Sequence, residues 1–222
     1  MGWLEFIAAW VVFFLTHSLP IRPPMRPWLQ HRLGRRGFTL FYSILSLGVL
    51  WWLIVAAGRA PYVGLWEWAR WQTHVPLAMM LVVCLIAALA IGRPNPFSFG
   101  GAQNDRFDPA HAGIVRLTRH PLLLALALWA ASHIVPNGDL AHVLLFGTFT
   151  LFALFGGRLI DRRRKREMGA DWAPLKAEVT SSFANARPAS WSGALARLAL
   201  GVALYGVLLW AHPWLFGVSP LG

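Results

Sequence analysis

Histidine is the residue type here whose number and placement can support chemistry. The chain holds eight histidines in 222 residues, beside a single cysteine and nine carboxylates. Neutral imidazole ligates iron well, and an ionisable group inside a membrane is a functional candidate by default. His17, His133 and His212 lie within or at the end of strongly apolar stretches. Buried there, each needs a partner, because an unpaired polar group in lipid costs several kcal/mol. The partner is a backbone carbonyl, a neighbouring helix, or the iron of a haem held between facing helices. His31 and His111 sit in polar loops and read as solvated. His74 and His142 open apolar helices at an interface, where an amphipathic ring is comfortable.

His120 belongs to the most motif-like stretch of the chain, which runs from Gly113 through Arg116, Thr118, Arg119 and His120 to Pro121. Pro121 fits the first position of a helix. Arg119 and His120 then stand at a helix N-terminus, a place that welcomes anions. The anion is a lipid headgroup or a carboxylate, such as a haem propionate or the carboxylate of a nucleoside cofactor. No H-E-x-x-H, C-x-x-C, G-x-S-x-G, phosphate-binding or dinucleotide-binding fingerprint occurs. Carboxylates are scarce in the apolar stretches, so coupled ion transport has little support. Cys84 is alone and forms no internal disulfide.

Apolar stretches as long as a bilayer is thick position these residues. Composition is 57% hydrophobic and 13% charged, against roughly 25% charged in a soluble domain. A bilayer core of about 30 Å needs about 20 apolar residues per helix. Six windows qualify: 3–19, 38–57, 74–92, 121–135, 140–157 and 198–216. The first carries only Glu5, near its end. It lacks a basic leader and a small-residue cleavage site, so it reads as a retained helix. The expected fold is all-α, one polytopic helical bundle over 1–222.

Positive charge alternates between the loops. Loop 18–37 holds five Lys and Arg, 58–73 two, 93–120 four, 136–139 none and 158–193 eight. The positive-inside rule then puts both termini outside the cytoplasm of a bacterial inner membrane. The net charge of +11 is explained by orientation and anionic headgroups, with no need of nucleic acid. Trp66, Trp68 and Trp71 mark the outer interface. Pro136 to Asp139 makes a tight turn joining the fourth and fifth spans. The fourth span has fifteen apolar residues after Pro121, about 22 Å at 1.5 Å per residue. Trp172, Leu175 and Val179 can share one face of a surface helix over the cytoplasmic mouth.

An ordered set of short motifs is recognisable. Thr16-His17-Ser18-Leu19-Pro20, Gly58-Arg59-Ala60-Pro61-Tyr62, Arg119-His120-Pro121, Ala131-Ser132-His133 and Asn137-Gly138-Asp139-Leu140 together resemble the NnrU family over essentially the whole chain, including Ala211-His212-Pro213. That family is linked to denitrification and nitric oxide metabolism. Its plant and cyanobacterial relatives include the zeta-carotene cis–trans isomerase, a membrane protein with b-type haem. The resemblance implies haem b with His17 and His133 as axial ligands to iron. The isomerase's nearby cysteine falls on Ala130. Topology places His17 and His133 at opposite ends of their helices, so His133 with His212, or His17 with His120, are the level alternatives. The implied partners are lipid, carotenoid or nitric oxide. A second similarity is to membrane methyltransferases of the isoprenylcysteine type, which use S-adenosylmethionine; their acidic pair reads Asp161-Arg162 here.

Overall fold

The computed structural model describes residues 2–221, and the described residues form helices joined by turns with no strand beyond isolated bridges. The helices are α1 (Gly2–Ser18), α2 (Met25–Arg59), α3 (His74–Ala90), α4 (Ile114–Leu117), α5 (Pro121–Ile134), α6 (Leu140–Met168), α7 (Trp172–Ser181) and α8 (Trp191–Phe216). Among the described residues, four segments are long and apolar enough to cross a bilayer: Met25–Arg59, Arg70–Ala90, Leu140–Ser181 and Trp191–Phe216. α1 and α5 are apolar but shorter, at 17 and 14 residues. The chain is an all-α, multi-pass membrane protein. Each expected window overlaps an apolar helix among the described residues, but α2 and α8 begin before their windows and α6 ends after its own.

The described residues cluster as two compact units. One runs up to Glu67 and includes Gly138–Leu145; the other comprises Trp68–Asn137 and the chain from Phe146 onward. In the first, α1 and α2 pack as an antiparallel pair. Glu5, near the start of α1, accepts bonds from Trp52 Nε1 at 3.4 Å and Arg59 Nη1 at 3.2 Å. At the other end the Tyr42 hydroxyl reaches the His17 carbonyl at 3.5 Å. Leu4, Ile7, Val11 and Phe14 on α1, and Leu40, Ile44, Leu47 and Trp51 on α2, are exposed at helical spacing. These stripes are the surfaces a bilayer would cover.

α2 begins thirteen residues before the expected span start at Phe38. The proline- and arginine-rich stretch reads as a loop, yet Pro27 falls in the first turn, where no backbone N–H is required. Gly34, at φ 69° and ψ 168°, breaks the helical path between this basic segment and the apolar one. The expected turn at 136–139 is present. The Gly138 carbonyl accepts from Leu65 N at 2.7 Å and Trp66 N at 3.3 Å, and Asp139 pairs with His142 at 2.6 Å.

In the second unit α3 packs against both α5 and α8. One face of α8 meets α3 at three levels. Arg197 Nη1 donates to the Ala88 and Ile91 carbonyls, both at 2.8 Å, satisfying orphan acceptors where α3 ends. Four residues on, Gly201 lies so close that a Cβ would stand 3.1 Å from the Cys84 carbonyl and Leu85 Cα. Four further on, the Tyr205 hydroxyl donates to the Leu77 carbonyl at 3.0 Å. Close helix approach through a small residue is how membrane helices gain packing energy. Gly201→Leu is expected to push the helices apart and cost about 1–3 kcal/mol, read as a lower melting temperature in detergent.

α5 packs along α6 through Leu123, Ala127 and Ala153, and Trp129 lies against Phe146 and Phe149. α6 continues eleven residues beyond its expected apolar limit at Gly157. Below the helices, Phe97, Val115, Trp172 and Val179 form a buried cluster with Leu175 packed against it. The i, i+3, i+7 spacing of Trp172, Leu175 and Val179 is thus used as one face. Lys165 and Lys176 lie 4.4 and 5.1 Å from the Trp172 ring.

Candidate functional site

The densest polar network of the second unit is built around His120. Antiparallel packing of α5 on α6 brings the start of one beside the basic extension of the other. Gly157 makes room: a Cβ there would stand 3.0 Å from His120 Cδ2. Asp161, one turn further, then meets both residues that precede α5. Its Oδ1 lies 3.1 Å from His120 Nε2, and its Oδ2 accepts from Arg119 Nη2 at 2.8 Å. His120 Nδ1 faces Ser98 Oγ at 3.0 Å. Asn95 donates to the Arg119 carbonyl at 3.0 Å, and Arg164 Nη2 donates to the Ser98 carbonyl at 2.8 Å. Three segments are latched together: the loop at 95–98, the turn at 119–120 and the α6 extension.

Charge fixes the protonation pattern. Burial raises the Asp161 carboxyl, but the bond and charge of Arg119, with His120, outweigh it and hold Asp161 below its usual range. An ionised carboxylate only accepts. His120 therefore donates through Nε2, and Nδ1 accepts from the Ser98 hydroxyl. Burial lowers the His120 pKa, and the neighbouring carboxylate does not fully offset it. Both ring nitrogens are committed inside the protein. At the Arg119–His120 turn the chain's own Asp161 carboxylate lies against both side chains.

His17, His133 and His212 have the opposite arrangement. His17 Nδ1 lies 2.9 Å from the Phe13 carbonyl, His133 Nδ1 2.7 Å from the Trp129 carbonyl and His212 Nδ1 2.8 Å from the Val218 carbonyl. A carbonyl can only accept, so each Nδ1 carries a proton, and in the neutral ring each Nε2 then holds the lone pair. No hydrogen-bond partner occupies those Nε2 atoms among the described residues. This is the tautomer that a metal-ligating histidine takes, with the outer nitrogen bonded to backbone. His133 is flanked by Trp129 and Phe146, with ring centroids at 5.7 and 5.3 Å. His17 stacks on Phe13 at 3.9 Å. Among the described residues no group of three or more His, Cys, Asp or Glu side chains could hold a metal ion.

A family profile described as NnrU protein matches residues 5–220. The chain belongs to the NnrU family. No curated protein and no solved structure matches it. The matched region of this NnrU-family chain contains the whole Asp161 latch and all eight histidines. Those histidines now sort by partner. His111, His120 and His142 face carboxylates at 2.7, 3.1 and 2.6 Å. His17, His133 and His212 face carbonyls. His17 lies in the first unit, and His133 and His212 lie in the second.

Reading from sequence missed Ser98 and Asn95 and gave Arg164 and Asp161 no role at the turn. One signal was available. Asp161 is the lone acid among the basic residues from Arg158 to Arg166, and an isolated opposite charge in such a run suggests a specific partner.

Proposed function

We propose that this NnrU-family membrane protein binds haem b through its intramembrane histidines, with His133 as a residue that would hold the iron, and serves nitric oxide metabolism in a bacterial inner membrane. The observation that carries the reading is the His133 tautomer. Its Nδ1–H is bonded to the Trp129 carbonyl, which leaves the Nε2 lone pair for iron. Trp129 and Phe146 restrict the ring's rotation, and Ser132 returns its hydroxyl to the Trp129 carbonyl at 3.0 Å. His17 carries the same carbonyl bond four residues back, preceded likewise by a hydroxyl residue, Thr16. When bound, haem would supply an iron centre able to take a gas ligand or pass an electron.

His120 and Arg119 have a different part in this reading. Asp161 bonds to both, although the buried Arg119 Nε has no hydrogen-bond partner among the described residues, so their work is to hold the start of α5 and, through it, the register of His133 thirteen residues on.

The test is a visible absorption spectrum of the detergent-purified protein, oxidised and then reduced with dithionite. A Soret band that sharpens on reduction, with narrow α and β bands, is expected. A colourless protein from haem-replete cells would overturn the proposal. The pigmented protein is expected to bind nitric oxide; turnover of zeta-carotene instead would move it to the isomerase class.

A further inference from the structure

A cavity of about 100 Å³ lies in the second unit where α3 ends, α8 begins and the segment after α3 folds back. Its walls are apolar, with Leu89, Ala90, Phe107 and Val115 among them. Three arginines, Arg93, Arg106 and Arg197, line it together with His111, and Asp108 is the one carboxylate in the lining.

The charges in this cavity are unevenly satisfied. Asp108 is spent locally: Oδ1 accepts from Ala110 N at 2.9 Å, and Oδ2 faces His111 Nδ1 at 2.7 Å. Arg197 is fixed in place by the two α3 carbonyls on its Nη1. Arg106 reaches only Gln103 Oε1, at 3.3 Å. Among the described residues no acceptor engages the half-buried Arg93 side chain. Ser190, which caps α8 by accepting from Gly193 N at 3.2 Å, also lines the cavity. The positive end of a 26-residue helix thus adds to the arginine charge. Arg93 and Arg197 are half-buried and Arg106 is exposed, and three like charges lining one largely apolar cavity favour an anion among them.

We propose that this cavity binds the phosphate of an anionic ligand, with Arg93 and Arg106 donating to its oxygens and the prepositioned Arg197 completing the charge. Arginine forks suit tetrahedral oxyanions, and basic pockets among membrane helices take up anionic headgroups. The phosphate comes from an acidic phospholipid of the surrounding leaflet or from a soluble phosphate compound. The site is separate from the histidine ligands, so it does not depend on the haem reading.

The experiment is thermal unfolding of the full chain in neutral detergent. Phosphatidylglycerol is added in one arm, zwitterionic phosphatidylcholine in a second, and inorganic phosphate against chloride at equal ionic strength in a third. A rise in melting temperature of roughly 5–10 °C is expected at about a hundred times the dissociation constant. Phosphatidylglycerol alone raising it identifies a lipid headgroup; inorganic phosphate raising it as well identifies a soluble source. R93Q and R106Q are expected to melt like the wild type without ligand and to lose most of the shift with it. R166Q, at an exposed arginine of the α6 extension, is expected to keep the shift. No shift in any arm, an undiminished shift in R93Q and R106Q, or an equal loss in R166Q would overturn the proposal.

Discussion

Asp161→Ala is expected to lower the stability of the protein more than any other single side-chain deletion in the second unit. The change strands a guanidinium and an imidazole that share one carboxylate. Side-chain exposures of 13% for His120, 20% for Asp161 and 30% for Arg119 mean that water compensates only in part. Removing one member of a fully buried pair costs about 3–5 kcal/mol; partial exposure brings the expected loss here to about 2–3 kcal/mol. The melting temperature is expected to fall by roughly 5–10 °C. Asp161→Asn, which keeps one accepting oxygen, is expected to lose about half as much. The pH dependence follows from the same geometry. His120 in the unfolded chain takes up a proton near 6.5, and the folded chain does so only at lower pH. The unfolded state therefore binds more protons in that window, and stability falls as pH drops below 6.5. Asp161 acts in the same direction lower down. Its contribution is complete above the ordinary carboxylate value of 3.8 and is lost as pH falls through its depressed folded value. The alanine variant is expected to flatten this lower limb. A melting temperature and a pH profile unchanged from wild type would show that the latch holds nothing.

His133→Ala is expected to lose the pigment, with the reduced α band gone from protein purified from haem-replete cells. His31→Ala, in the basic segment of α2, is expected to keep it. The contrast is chemical: His133 has its Nδ1 proton fixed by the Trp129 carbonyl at 2.7 Å, whereas His31 has no such partner and lies exposed. His120→Ala separates ligation from positioning. With both ring nitrogens committed to Asp161 and Ser98, its loss is expected to lower stability while leaving the spectral shape intact. Equal haem content in the His133 and His31 variants would sink the ligand assignment.

Much of this was open to reading from the chain. The lengths of the apolar windows locate α3 and α5 and the apolar parts of α6 and α8, because a bilayer constrains helix length more tightly than a soluble core does. The start of α2 was hidden. Proline and arginine are dense there, and only the position of Pro27 within a first helical turn reveals that a helix tolerates them. His133 announces that it needs a partner. Which nitrogen bears the proton depends on a carbonyl one turn back, and that is a matter of coordinates. Asp161 was the least legible, since its partners lie 41 and 42 residues earlier in sequence. Ser98 and Asn95 carry no periodic signal, as they act from irregular backbone.

α5 has fourteen residues, about 21 Å of helix against a hydrocarbon layer of about 30 Å. Its flanks are covered, with only Leu124 and Ala131 exposed along it, so polar backbone can enter at its ends without meeting lipid. Where such polar ends carry water, the insulating path along α5 is shorter than along a full-length helix such as α8. A membrane voltage then drops over about two-thirds of the usual distance, and the field beside α5 is about 1.4-fold steeper. An electron or proton moving a given distance along this helix would feel the membrane voltage more strongly than one moving the same distance elsewhere in the protein.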